Sequence, residues 1–174
     1  MLVIFALLEM ADKEAAWIEE IRRRHDPQAD LVPAHFTLVF PCEVSDTTCV
    51  ANHAAATAST VAAIDFRLVS AVVVRDSFAP RSQVFLVPDL GAEPITVLHD
   101  RLNDGPLSPF LRSDIPYAPH VTVAATDLQS DADAVAQSLG SIDMRGRLEA
   151  ITLANLVDGR LSDLRSWRLG APVR

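Results

Sequence analysis

Two periodicities of apolar residues alternate along the chain and predict its helices and strands. In residues 12–25, Trp17, Ile18 and Ile21 recur at helical spacing, and Asp26-Pro27 ends the segment. The same spacing, together with cap and stop residues, predicts four helices, over 12–25, 46–63, 94–103 and 131–139. Apolar runs bounded by turn residues predict strands over 2–9, 35–40, 65–76, 119–125, 145–157 and 164–169, and one more that begins at residue 84.

The order of these elements repeats. Strand, helix, strand, helix, strand occurs twice, and a last strand follows a hairpin turn predicted at Asp158-Gly159. We therefore expect an α+β fold in which the 174 residues form one domain of two duplicated β-α-β-α-β units. The units would form lobes over about 1–77 and 83–157, related by a pseudo-twofold axis, with antiparallel or mixed sheets around a central groove. The strand at 164–169 would complete the domain.

One apolar strand carries two polar side chains on the same face. Residues 33–41 read PAHFTLVFP. Because side chains of a strand alternate between its faces, His35 and Thr37 should share one face with Val39, opposite a wholly apolar face formed by residues 36, 38 and 40. A single histidine in such a strand is most often a hydrogen-bonded structural residue, so this segment alone indicates no function.

The same pattern occurs a second time. Residues 118–125 read APHVTVAA, so His120 and Thr122 repeat the histidine–apolar–threonine–apolar sequence. The chain has five histidines, and two of them lie in this pattern. At average residue frequencies that coincidence is roughly one in 100 or rarer. If the two units pack about a pseudo-twofold axis, each would deliver one histidine and one threonine to a shared groove.

Two imidazoles across a groove would form an acid–base pair. Histidine titrates near neutral pH, so one ring can accept a proton while the other donates one. In-line displacement at phosphorus needs both steps, because the entering oxygen loses a proton and the leaving oxygen gains one. The hydroxyls of Thr37 and Thr122 would donate to the non-bridging oxygens. We expect no metal, since no histidine or carboxylate spacing predicts a ligand set.

Composition limits the classes of partner and location. The net charge of −8 argues against tight nonspecific binding to long nucleic acid, although a small local pocket for a nucleotide or an RNA end remains compatible with it. No apolar run approaches the roughly 18–20 residues that cross a bilayer, and the opening MLVIFALLEM reads as a strand without signal-peptide features. Cys42 and Cys49 form neither a disulfide framework nor a metal motif. We expect a cytoplasmic monomer without membrane association.

The two motifs resemble those of the 2H phosphoesterase superfamily, also called the 2′-5′ RNA ligase superfamily. RRRHDPQADLVPAHFTLVFP is similar to its first block, YAPHVTVA to its second, and FRLVSAVVVRDSFAPRSQVFLVP to the hairpin between them. Relatives cleave or form phosphodiester bonds at RNA ends or in cyclic nucleotides, notably 2′,3′-cyclic phosphates. The resemblance implies that His35 and His120 are catalytic, with His120 as base and His35 as acid, and that Thr37 and Thr122 bind phosphate without a cofactor.

The chain departs from the family pattern at two places. Ala34 stands between Pro33 and the first motif histidine, where relatives often have proline directly before the histidine. Ala124-Ala125 occupies the region after the second motif where RNA-processing relatives often carry arginine. The second departure favours hydrolysis of a cyclic or small phosphodiester. Ligation of 2′-5′ RNA, a binding module for nucleotides or RNA ends, and a purely structural role for both motifs remain the alternatives.

Three further residues are candidates for substrate binding. Phe78 and Arg81 lie in the predicted turn at 77–82, where a ring could stack on a base and a guanidinium could bind phosphate, or where both could be plain surface. Tyr117 precedes the second motif and could line the groove. The other histidines are predicted to be structural: His25, His53 and His99.

Overall fold

The structure is a computed structural model that describes residues 1–76, 79–157 and 160–170, with the backbone alone at 163 and 164. The described strands are β1 (Leu2–Leu7), β2 (Glu9–Met10), β3 (His35–Cys42), β4 (Ile64–Arg75), β5 (Ser82–Leu90), β6 (Val121–Thr126), β7 (Met144–Leu148), β8 (Ala150–Val157) and β9 (Arg160–Arg168). The described helices are α1 (Asp12–His25), α2 (Thr47–Thr60), α3 (Ala92–Leu102) and α4 (Gln129–Ser138), with a 3₁₀ helix at Gly105–Phe110. The predicted α+β class is confirmed. None of the described helices combines the length and apolar character needed to cross a membrane.

The described strands form two antiparallel sheets, one of four strands and one of five. Sheet A has the order β3-β1-β8-β9, and sheet B has the order β2-β7-β4-β5-β6. Each sheet takes strands from both halves of the chain, because β4 joins sheet B and β8 joins sheet A. The sheets therefore do not coincide with the predicted lobes 1–77 and 83–157. This exchange of strands ties the halves together through backbone hydrogen bonds.

The two sheets nevertheless match each other in register. The order β3-β1-β8-β9 corresponds to β6-β5-β4-β7, and both edge strands carry a motif threonine. The cross-strand partners agree residue by residue: Phe5 with Thr37 and Ile4 with Val39 in sheet A, Phe85 with Thr122 and Val84 with Ala124 in sheet B. Both edge strands thus hold one extra residue, a β-bulge, directly after the threonine. A shared irregularity at the same place supports the duplication that the order of elements indicated.

The bulge corrects one expectation about the first motif. Strict alternation placed Val39 on the face of His35, but Leu38 and Val39 are both buried in the core, and Phe40 is partly exposed. The extra residue turns the strand after Thr37, so the side-chain alternation is reset at that point. The polar face of the strand therefore ends at Thr37.

Three predicted strands also have other boundaries in the structure, and the first of them, predicted over 2–9, is β1 in sheet A and β2 in sheet B. The predicted strand over 145–157 is two strands, β7 and β8, interrupted at Glu149. They belong to different sheets, so the chain crosses from sheet B to sheet A at this residue. The last strand, predicted at 164–169, begins already at Arg160. The predicted hairpin turn at Asp158-Gly159 lies outside the described residues.

The helices of each half lie against strands of both sheets. Helix α1 packs on β6 and α3 packs on β3, so each helix supports the motif strand of the other half. Helix α2 packs on β8 and β9, and α4 packs on β4, β5 and β6. The main core lies between helices and sheets and includes the strand residues Ile4, Phe36, Leu86 and Val121. The motif side chains project from the opposite, partly exposed face of the sheets.

Replacing Gly146 by alanine should destabilise sheet B. A Cβ at this position on β7 would overlap the ring of Phe66 on β4 and lie 2.9 Å from the carbonyl oxygen of Glu9. We expect Gly146→Ala to lower the free energy of unfolding by about 1–3 kcal/mol in urea titrations. In a Phe66→Leu background the same change should cost clearly less, because the smaller side chain leaves room. Equal costs in both backgrounds would contradict the proposed overlap.

Candidate active site

The two motif histidines lie where the sheets approach each other. His35 begins β3, and His120 directly precedes β6, so each histidine lies at the start of the edge strand of its sheet. These two edge strands are in contact. Both imidazoles are partly exposed, in contrast to the fully buried core around Phe36 and Val121. The structure thus brings the two motifs, which are 85 residues apart in the sequence, into one region.

Each imidazole is held by the same backbone contact. Nδ1 of His35 lies 2.8 Å from the carbonyl oxygen of Pro33, and Nδ1 of His120 lies 2.7 Å from that of Ala118. A carbonyl oxygen only accepts, so each Nδ1–H must be the donor. In the neutral ring, Nε2 is then the unprotonated nitrogen. Both side chains therefore keep Nε2 available to accept or donate a proton.

Burial shifts both imidazoles toward the neutral form. Desolvation lowers the pKa of His35 and of His120 below the ordinary histidine value, and the hydrogen bonds to Pro33 and Ala118 oppose this in part. The charges of Arg22 and of a protonated His120 lower the pKa of His35 further. The predicted separation of the rings, roughly 5–8 Å, stays a prediction.

Two phenylalanines accompany the histidines, and the sequence prediction missed them. Phe5 on β1 meets the ring of His35 edge to face, with centroids 5.3 Å apart. Phe85 on β5 stacks on His120 at 3.7 Å with an angle of 19° between the rings. Each phenylalanine is also the cross-strand partner of the motif threonine. Aligning the two halves of the sequence could have found them, because Phe5 and Phe85 occupy matching positions on the first strand of each half.

The motif threonines each follow a motif histidine by two residues. Thr37 and Thr122 are partly exposed, and within the described part of the chain no group forms a hydrogen bond with either hydroxyl. Each is therefore able to donate to an anionic oxygen at the site. The structure thus combines, in each half, a histidine with an available Nε2 and a threonine with an available hydroxyl.

Tyr117 connects the second motif to the first. Its hydroxyl donates to the carbonyl oxygen of Thr37 at 3.0 Å, and its ring stacks on His99 of α3 at 3.6 Å with an angle of 3°. His99 is buried and its Nδ1–H donates to the carbonyl oxygen of Leu38 at 2.7 Å, which Asn103 also reaches at 3.1 Å. Tyr117 is thus engaged inside the protein at both its ring and its hydroxyl, and His99 has the structural place predicted for it.

A buried arginine supports the segment that leads to His35. Arg22 on α1 is 2% exposed, binds Asp26 and Glu19, and donates to the carbonyl oxygen of Val32 at 2.8 Å. Glu19 in turn accepts from the backbone N–H of Ala34 at 2.7 Å. In the sequence, Arg22 is the first of three consecutive arginines near the end of α1. Its spacing of four residues from the buried Ile18 was the signal that it faces inward.

Of the other candidates from the sequence, Arg81 lies in a different cavity and Phe78 lies outside the described residues. Arg81 lines an open cavity of about 770 Å³ at the far end of β6, together with Arg24, His25 and Ala125. Neither motif histidine lines this cavity. Among the residues that are described, no three histidine, cysteine or carboxylate side chains form a group that could hold a metal ion.

Comparison with known proteins identifies the family. The family model described as the 2′-5′ RNA ligase superfamily matches residues 10–160. This chain belongs to that superfamily. It is 30% identical over 129 residues to a Bacillus licheniformis protein named "Putative phosphoesterase", covering 71% of this chain and 69% of that protein.

Solved structures show the same fold. E. coli LigT in apo form matches with a TM-score of 0.62 and 19% identity, over 98% of this chain and 97% of LigT. A protein of Thermus thermophilus matches with a TM-score of 0.67 and 17% identity, over 98% of each chain. Usb1 of Kluyveromyces marxianus gives 0.62 and 9% identity, over 94% of this chain and 96% of Usb1. Membership of the superfamily supports an enzyme of the phosphoesterase or ligase type, and the paired motifs of this chain fit that type.

Replacing Tyr117 by phenylalanine should slow catalysis more than it weakens substrate binding. The change removes the hydrogen bond to Thr37 but keeps the stack on His99. We expect kcat on a phosphodiester substrate to fall about 5- to 20-fold with little change in KM. Without this bond, the distance between the two motifs is less well fixed. Thr126→Val, which removes a hydroxyl donor to the carbonyl oxygen of Leu128 at 2.8 Å, is the control and should keep kcat. An unchanged kcat in Tyr117→Phe would contradict the positioning role.

The pH dependence should reflect the lowered pKa values. If the two rings act as an acid–base pair, one must be neutral and the other protonated, and burial lowers the pKa of both His35 and His120. As pH rises, the free enzyme loses the required proton at a pH below the ordinary histidine pKa. The maximum of kcat/KM should therefore lie below about pH 6.5. A bound phosphate anion favours the protonated ring, so the kcat optimum should lie at higher pH. A maximum of kcat/KM above about 7.5 would contradict this reasoning.

Proposed function

We propose that this protein hydrolyses a 2′,3′-cyclic phosphate, or a similar small phosphodiester of a nucleotide or RNA end, by metal-independent two-histidine catalysis. The observation that supports this most directly is the matched pair of Nδ1–H bonds to Pro33 and Ala118. These bonds give both rings the same tautomer, with Nε2 available on each. A binding module would need no such pair of titrating groups.

The proposed reaction balances through the two rings. One neutral Nε2 removes a proton from water as the water oxygen attacks phosphorus. The P–O bond to the ribose oxygen breaks, and that oxygen receives the proton from Nε2 of the other, protonated ring. The hydroxyls of Thr37 and Thr122 donate to the non-bridging oxygens, where negative charge is concentrated. The family resemblance assigns His120 as the base and His35 as the acid.

Ligation of 2′-5′ RNA is the reverse chemistry on a larger substrate. It would need the site to hold two RNA ends at once. RNA-processing relatives often carry arginine in the region that is Ala124-Ala125 here, and Ala125 faces the same side of the sheet as Thr122, so no cation extends from it. The net charge of −8 also disfavours a long RNA substrate. These features favour hydrolysis.

A substrate panel in EDTA tests the function directly. Nucleoside 2′,3′-cyclic phosphates, linear 2′-5′ and 3′-5′ dinucleotides, and ADP-ribose cyclic phosphate would be incubated with the purified protein. We expect hydrolysis of at least one cyclic phosphate at an unchanged rate in EDTA, because neither motif supplies a metal ligand set. Loss of all activity in EDTA, with recovery on adding Zn²⁺ or Mn²⁺, would refute the mechanism. Inactivity on every member of the panel would refute the function.

Replacement of either motif histidine by alanine should lower kcat about 10²- to 10⁴-fold, the usual contribution of one general acid or base. The double variant should cost less than the product of the single effects, since both rings serve one transition state. His25→Ala is the matched control, because this partly exposed histidine ends α1 and lines a cavity that neither motif histidine lines.

A substrate with a good leaving group tests the assignment of roles. Such a leaving group needs little protonation, so it should rescue the alanine variant of the acid, His35, and not that of the base, His120. Rescue of the His120 variant instead would reverse the roles. Full activity in either single variant would remove that histidine from the mechanism.

A further inference from the structure

The two halves of the site match in register but differ in how far they are covered. In sheet A, Phe5 has Thr152 of β8 as its next cross-strand partner, and these side chains are 2% and 7% exposed. In sheet B, the equivalent partner of Phe85 is Val72 of β4, which is 37% exposed, and Phe85 itself is partly exposed. The row of side chains beside the motif threonine is therefore closed in one sheet and open in the other.

The next row shows the same difference. Val3 and Ala154 are partners in sheet A and are 5% and 0% exposed. The matching pair in sheet B is Gln83 and Val74, of which Val74 is 39% exposed and Gln83 partly exposed. Two neighbouring rows thus agree, so the difference belongs to the whole face and not to one side chain.

The cause is the length of the outer strands. In sheet A, β9 pairs with β8 from Ala150 to Val157, and its Leu161 packs on the cluster of Val3, Phe5 and Ala154. In sheet B, β7 pairs with β4 only over Ile64–Leu68. Beyond this pairing, β4 has β5 as its one neighbouring strand among the described residues. The short β7 therefore leaves the face around Val72 and Val74 open.

The open face is continuous with the catalytic row. Val72, Phe85 and Thr122 are successive cross-strand partners, so they point to the same side of sheet B. Two strand spacings separate Val72 from Thr122, about 10 Å. A ribose and base attached to a phosphate at Thr122 would extend over this distance. Single exposed valines are ordinary on a protein surface, and it is their continuity with the site that indicates a ligand.

We propose that Val72 and Val74, beside Phe85, form the subsite for the nucleoside of the substrate. This rests on the proposed function and specifies the side of the site on which the organic group lies. The valine methyl groups would pack on the ribose and on one face of the base. They offer no hydrogen bond to a base edge. The two valines therefore do not select purines against pyrimidines.

The same asymmetry bears on the type of reaction. Joining two RNA ends would require a second nucleoside on the side of Phe5 and Thr152. That face is closed by Leu161 and the strand that carries it. The apolar face beside the first motif therefore offers no second subsite of the kind that Val72 and Val74 form. This matches hydrolysis.

Paired substrates with and without a nucleoside test the subsite. The variant Val72→Thr/Val74→Thr keeps the shape of both side chains and the strand preference, but replaces two methyl contacts with hydroxyls. We expect its KM for adenosine 2′,3′-cyclic phosphate to rise about 3- to 15-fold, from the apolar contact that each methyl group supplies. Its kinetics on ethylene cyclic phosphate, which has no nucleoside, should not change. Val97→Thr, a substitution of a 41% exposed valine on α3, is the control and should affect neither substrate.

Binding and assembly measurements separate the remaining outcomes. The Kd of adenosine 3′-phosphate, measured by calorimetry, should rise in the double variant by a similar factor, and this holds whether or not the protein turns over cyclic phosphates. An unchanged Kd, or equal effects on both substrates, would overturn the subsite. A dimer that dissociates in the double variant on sedimentation would identify the face as an interface between copies and also overturn it. Inactivity of the unmodified protein with normal nucleotide binding would refute the proposed function alone.

Discussion

The antiparallel pairing of each motif strand with the first strand of its half is the constraint on which the site depends. In sheet A this pairing places Phe5 beside Thr37 and His35, and in sheet B it places Phe85 beside Thr122 and His120. A shift of either pair by one residue would turn the threonine into the core and the neighbouring apolar residue outward. The bulge after each threonine also defines the register, because the extra residue must lie at this one position for the pairing on both sides of it to form.

A second set of contacts fixes the two motif strands relative to the rest of the molecule. Tyr117 reaches the backbone of the first motif from the segment that leads to the second. Arg22 and Glu19 hold the backbone that leads to His35. In both cases the polar group binds main-chain atoms, so the approach to each histidine is determined by backbone position. The imidazoles are then oriented by carbonyl groups two residues earlier in the same segments.

The sequence was sufficient to predict the motifs and the fold class. It was insufficient to predict features that depend on contacts between segments far apart in the chain. Repetition of the histidine–threonine pattern located His35 and His120 because the pattern spans only four consecutive residues. The division of residues 145–157 into β7 and β8 could not be read, since no turn residue stands between Leu148 and Ala150 and only the choice of sheet separates the strands. The inward direction of Val39 also escaped prediction, because a bulge is defined by the partner strand. Burial of Arg22 depends on acceptors at Val32 and Asp26, which approach it only in the folded chain.

The exchange of strands between the sheets has a consequence for the order in which the protein can assemble. β4, β5 and β6 follow one another in the chain and occupy neighbouring positions in sheet B, so they can pair as soon as they have been synthesised. β1 gains its second neighbour, β8, only after about 150 residues. Closing such a long loop is slow, because the entropy of the intervening chain is lost before the contacts form. Sheet A should therefore complete last, and on the ribosome the half of the site around His35 would wait for the C-terminal strands to emerge.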